Sequence, residues 1–168
     1  MTMPSIGRWW RHLGVDVWQV RRAFPRARLV AIRAAITAQE RRHTGELRFA
    51  VEGGLPFWNL LRGQTARARA VECFSALGVW DTEHNNGVLI YLLLADRRVE
   101  IVADRGIHDR VGTVAWEAIC GEMQRQFVAG QFEAGVTSGI AAVSDLLATH
   151  YPPQEGDRNE LPDAPVVL

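Results

Sequence analysis

Asn85-Asn86-Gly87-Val88-Leu89-Ile90-Tyr91-Leu92-Leu93-Leu94-Ala95-Asp96-Arg97-Arg98-Val99-Glu100-Ile101-Val102-Ala103-Asp104-Arg105-Gly106-Ile107 decides the fold. It reads as loop, buried strand, tight turn, second strand and polar exit. Residues 88–94 form an apolar run without polar alternation, the pattern of a strand covered on both faces. The run is far shorter than the roughly 20 apolar residues of a membrane helix, and turn residues flank it. Val99, Ile101 and Ala103 then alternate with Glu100, Val102 and Asp104, which places the second strand nearer an edge or a site.

The 168 residues, 48% hydrophobic and 23% charged, suit one globular domain, since about 150 residues make one core. The formal net charge of +0 argues against nucleic acid as a partner. Charge is segregated nonetheless: Arg8, Arg11, Arg21, Arg22, Arg26, Arg28 and Arg33 precede residue 34 with Asp16 as the sole acid, whereas Glu155, Asp157, Glu160 and Asp163 dominate the tail. All 19 basic residues are arginine, which excludes a P-loop lysine and Schiff-base chemistry. Cys73 and Cys120 stand alone among apolar neighbours, so neither zinc nor a disulfide framework is expected. Without an apolar h-region at the N-terminus, the expected location is cytoplasmic, peripheral to the membrane at most.

Around the hairpin, Leu29, Ile32 and Ile36 recur at helical spacing after Pro25, with Gly45 as the stop. Leu47, Phe49 and Val51 alternate with Glu46, Arg48 and Glu52, predicting a half-buried strand. Pro56, Phe57 and Trp58 read as a loop whose aromatic pair plugs the core. Thr65 is suited to cap a helix carrying Ala70, Val71, Phe74 and Leu77, closed by Gly78. A turn is expected beyond Gly106. Thr113 then caps a helix with Trp116, Ile119, Met123 and Phe127, closed by Gly130. A last helix carries Phe132, Val136, Ile140, Val143 and Leu147 and stops at Pro152-Pro153. The order predicts a three-layer α/β/α sandwich around a small mixed sheet, because the central run needs shielding twice. Residues 1–24 form a basic, Trp-containing arm, 25–151 the domain, and 152–168 a Pro-rich acidic tail, extended or mobile.

The segment Asn86-Gly87-Val88-Leu89-Ile90, the hairpin from Asp96 to Ile101 and the pair of helices around Phe127, Gly130, Phe132, Gly135 and Gly139 together resemble the TPM domain over roughly residues 31–150. The resemblance implies a compact α/β/α domain, calcium or magnesium binding in some members, acid phosphatase activity in others, and assembly or repair roles. This chain resembles a soluble bacterial subfamily. It departs from the pattern at Asn85-Asn86-Gly87, where an acidic residue is usual, so cation affinity should be low.

Asp81, Glu83, Asn85 and Asn86 crowd the loop before the central strand, and Asp104 leaves the neighbouring strand, so these five are the candidate ligands for weakly held Ca2+ or Mg2+ at one rim of the sheet. Asp104 and Arg105 are the catalytic candidates of a metal-assisted phosphatase, with Arg97 or Arg98 as further phosphate contacts and His108 beside Asp109 as acid or base. No Gly-x-Ser-x-Gly elbow or glycine-rich phosphate loop is present, which disfavours a serine hydrolase and a nucleotide cofactor. The favoured reading is a binding or assembly module, with the phosphatase as alternative. Arg8, Trp9, Trp10, Arg11 and Trp18 suit a membrane surface or a protein partner, and the arm is expected to be dispensable for the fold.

Overall fold

The computed structural model describes residues 6–14 and 17–168. Helices α1 (Ile6–Gly14), α2 (Val17–Ala23) and α3 (Arg26–Glu40) precede strand β1 (Glu46–Glu52). Short α4 (Phe57–Leu61) and α5 (Ala66–Ala76) lead to β2 (Gly87–Leu93) and β3 (Arg98–Ala103). Then come α6 (Arg105–Val111), α7 (Thr113–Val128), α8 (Phe132–His150) and β4 (Val166–Val167). The mixed sheet has the order β3-β2-β1-β4, with β1 parallel to β2 and β4, and β2 antiparallel to β3.

The apolar run behaves as its composition requires. Every residue of β2 is buried. Val88, Ile90 and Leu92 join α2, α3, α6, α7 and α8 in the larger core, while Leu89, Tyr91 and Leu93 face the smaller core under α5. This division is the period of two of a strand expressed as two separate cores. β3 is an edge strand, and Arg67 of α5 donates to the carbonyl of Ile101, blunting an edge that would otherwise invite pairing. Two glycines are dictated by close approach. A Cβ at Gly87 would lie 2.0 Å from the Val79 carbonyl oxygen, and one at Gly139 would lie 2.3 Å from the sulfur of Met123, where α7 and α8 pack.

Several expectations are corrected. β1 is buried along its whole length, not half buried. Its charged face is roofed by the tail and by α5: Glu46 accepts the N–H groups of Glu160 and Leu161, Arg48 donates to the Pro162 carbonyl, and Glu52 takes Arg69. The tail is thus extended and held, and it supplies β4. Phe57 and Trp58 are 53% and 66% exposed, so Leu55 and Leu60 fill the core in their place. Val71 is exposed too. α3 ends at Glu40 rather than near Gly45, whose Cβ position lies against Leu147. Asp104 caps an additional helix, α6, where a turn was expected, and Gly112, not Thr113, occupies the cap of α7. Thr65 does cap α5, accepting the Ala68 N–H at 3.1 Å.

Helix α1 of the arm is hydrogen-bonded to the domain. Arg8 and His12 of α1 both reach Asp96, and His12 also accepts the Leu55 N–H at 2.9 Å. Trp9 lies in α1, but its side chain is outside the described residues.

Candidate functional site

The rim at the N-terminal ends of β1 and β2 brings together the backbone of the sequence-chosen loop and the start of α6. The Asp104 N–H donates to the Gly87 carbonyl and the Ile107 N–H to that of Asn85. The side chains do not converge in the same way. Asp81 and Glu83 are exposed, and the Glu83 N–H donates to the Glu160 carboxylate at 3.0 Å. Asn85 is exposed with φ of 51°, the left-handed turn for which Asn is well suited. Asn86 is 1% exposed, and its amide donates to the Thr44 carbonyl at 3.0 Å, so it is a structural tie between loop and β1. Asp104 accepts the Arg105 N–H at 2.7 Å through Oδ1, while its Oδ2 is buried with no hydrogen-bond partner. Arg105 is exposed. Among the described residues no group of three or more His, Cys, Asp or Glu side chains is close enough to hold a metal ion. A hard cation takes six to eight oxygens, more than the side chains at this rim bring together, so water and carbonyl oxygens would have to complete any shell held there.

The same rim carries a cavity of about 390 Å³ that the alternating pattern of β1 did not advertise. Glu40, Glu46, Asp157 and Asp163 line it with His43 and Thr37. Burial, then the charges of Asp163 and Glu46, push the Glu40 carboxyl up to about 9. Burial also raises Glu46, against the opposing hydrogen bonds from the Glu160 and Leu161 N–H groups. Burial lowers His43. The signal missed in the sequence lay in the tail, since Asp157 and Asp163 belong to this cavity only because the chain folds back over β1.

At the opposite rim the carboxylates have cationic partners. Glu52 takes a two-pronged hydrogen bond from Arg69, 2.9 Å on each oxygen, and a 2.5 Å hydrogen bond from the Tyr91 hydroxyl. The bond to Glu52 raises Arg69, and burial, reinforced by Glu52, raises Tyr91. Asp96 accepts from Arg8 at 2.9 Å and meets His12 at 3.0 Å. Burial pushes Asp96 up, but the hydrogen bonds and charges of Arg8 and His12 win, holding it below the ordinary aspartate value. These groups are bound to one another and serve as a built scaffold for α1 and α5.

Exposed aromatics mark another face. Trp10 of α1 is 72% exposed, and Phe57, Trp58 and Leu61 of the adjoining α4 also point outward. The Leu55 N–H donates to His12, tying α1 to the loop that leads into α4. Arg11 and Arg62 flank them and are exposed. No helix among the described residues is long and apolar enough to cross a membrane.

Comparison with known proteins fits this geometry. The structure is similar to the NMR structure of the BA42 protein from the psychrophilic bacterium Bizionia argentinensis, with TM-score 0.74 and 30% identity, covering 84% of this chain and 93% of that one. It also shares its fold with the N-terminal domain of a P. gingivalis protein, at TM-score 0.56 and 21% identity over 73% of this chain and 76% of that one. No curated protein matches the chain significantly. The family model for the TPM domain matches residues 21–146, spanning β1, the central hairpin and most of α8, and the chain therefore belongs to the TPM domain family.

Proposed function

We propose that this TPM domain works as a binding and assembly module, docking through α1 and α4 on an anionic membrane surface. The observation that carries this reading is the group Trp10, Phe57, Trp58 and Leu61, exposed on α1 and α4 beside Arg11 and Arg62. Exposed large apolar side chains on neighbouring segments suit an interaction site, and Trp with Arg suits the boundary between headgroups and acyl chains. Because α1 also holds Asp96, the test is point substitution and not deletion of the arm. Wild type should co-sediment with phosphatidylglycerol vesicles and fail to do so with phosphatidylcholine ones, and the double variant Trp10→Ser/Trp58→Ser should lose the association at unchanged Tm. Equal partition of wild type and variant defeats the reading.

Divalent cation binding at the N-terminal rim is a weak accessory property in this reading. It rests on the buried Oδ2 of Asp104, which lacks a donor.

A further inference from the structure

Two adjoining cavities lie beyond the carboxyl end of β2, the end at which open α/β sheets take their ligands. The inner one, about 250 Å³, is walled by Leu92, Leu94, Phe127 and Phe132, with Arg97 at its mouth. The outer one, about 540 Å³, is bordered by Trp18, Arg22 and Arg28. Both share Gln19, Ala23 and Phe132, so they form one groove. Small-molecule sites typically measure roughly 300–1,000 Å³, with apolar walls and a few polar groups that fix orientation.

The charge in this groove is one-sided. No acid lines either cavity. Arg22 stacks over the Trp18 ring at 5.6 Å and has no ion pair among the described residues. Arg28 lies over Phe132, donates to the Ala23 carbonyl and is ion-paired at 3.6 Å with Glu133, which is outside the lining of both cavities. Arg97 is exposed with φ of 50°, a left-handed turn position where Gly or Asn would be less strained. The guanidinium of Arg22, without an ion pair among the described residues, and that of Arg97 at the other end of an aromatic slot complement a molecule with an anionic head and one apolar chain.

We propose that this groove binds a single-chain carboxylate, a medium-chain fatty acid. The acyl chain lies between Phe127, Phe132 and Leu94, and the carboxylate meets Arg22. This site is separate from the α1–α4 face and does not depend on it.

Decanoate is the probe, measured by calorimetric titration of the full chain, with decanol and decyltrimethylammonium as uncharged and cationic controls. Wild type should bind decanoate and neither control. Arg22→Glu removes the head contact, and Val128→Glu places a carboxylate at the inner cavity from a position that is 73% exposed and tolerant of change. Each should weaken binding at least about tenfold through like-charge repulsion, with Tm unchanged. Decanoate binding no tighter than decanol, or equal in wild type and both variants, overturns the proposal. The Trp10→Ser/Trp58→Ser variant should keep full decanoate affinity. Vesicle binding without decanoate binding therefore sinks the groove and leaves the docking face standing.

Discussion

The two ends of the parallel pair β1 and β2 place buried carboxylates in opposite electrostatic settings. At the carboxyl end, Glu52 and Asp96 face Arg69, Arg8 and His12. At the amino end, Glu40 and Glu46 face Asp163, Glu160 and Asp157, with backbone N–H groups and the Asn159 amide as their donors. The same residue type on one strand is thus an ion-pair anchor at one end and a group driven toward its protonated form at the other. What decides between them is the element that folds over the strand: arginine-bearing helices at one end, an acidic tail at the other.

The comparison breaks hardest at Glu52. Glu52→Ala removes the acceptor of the buried Tyr91 hydroxyl and the two-pronged acceptor of Arg69, which keeps Glu72 at 3.2 Å; hydrogen bonds to charged groups contribute about 1.5–3 kcal/mol, so denaturant unfolding should show about 3 kcal/mol lost. Tyr91→Phe removes one hydrogen bond to the same carboxylate and should cost about 1 kcal/mol. Equal losses in the two variants would mean that Tyr91, not the ion pair, organises this rim.

Asp96→Asn should cost about 1–2 kcal/mol, since Arg8 and His12 keep neighbours but lose a charge-assisted acceptor. Its folded pKa is depressed, so the stabilisation is present above the ordinary value of 3.8 and lost as pH falls through the folded value. Wild type should therefore lose stability in acid more steeply than Asp96→Asn, as thermal melts from pH 5 downward would show. Parallel acid limbs would remove Asp96 from the account.

The fold was legible in the sequence where pattern and burial agree. An unbroken apolar run has one reading, and Val88 to Leu93 of that run lie in the central strand; Thr65, Gly78 and Gly130 mark helix ends through local capping and positive φ. Legibility failed where a distant segment changed the environment of a local pattern. Alternation of Glu46, Arg48 and Glu52 with apolar residues normally means solvent on one side, and here it means a roof made from residues 155–168 and α5. Phe57 and Trp58 failed for the converse reason, because apolar identity says nothing of which way a one-turn helix faces. Asp104 offers its oxygens as candidate ligands and also caps α6 through Oδ1, a use of Asp that local sequence favours as strongly.

At the amino end, the sign of the pH effect reverses. The Glu40 folded value of about 9 lies above its ordinary 4.5, so between those values the folded state holds a proton that the unfolded chain has released, and stability falls as pH rises. Glu40→Gln cannot titrate. It should match wild type near pH 4.5 and exceed it by roughly 2–4 °C in Tm at pH 8, the shift that about 1 kcal/mol gives in a chain of this length. A variant less stable than wild type at both pH values would mean that the ionised carboxylate is an acceptor the tail requires.

The smallest effect belongs to Asp104, which sits at the same rim yet, among the described residues, has no ion-pair partner and joins no group of three or more His, Cys, Asp or Glu side chains able to hold a metal. With one carboxylate and neutral oxygens at hand, Ca2+ at millimolar concentration should raise the wild-type Tm by only about 1–2 °C, since stabilisation follows RT ln(1 + [L]/Kd) and millimolar ligand near its Kd contributes only about 0.4 kcal/mol. Asp104→Asn keeps the cap acceptor at Oδ1 but removes the charge, so the cation response should vanish while the cation-free Tm moves little. A response that survives the substitution would transfer the cation to the Glu40–Asp163 cavity, where paired carboxylates already strain against one another. There, Ca2+ would also lower the apparent pKa of Glu40, and the alkaline fall in stability would flatten in its presence. Repeating the pH series on Glu40→Gln with and without Ca2+ separates the two locations on one rim.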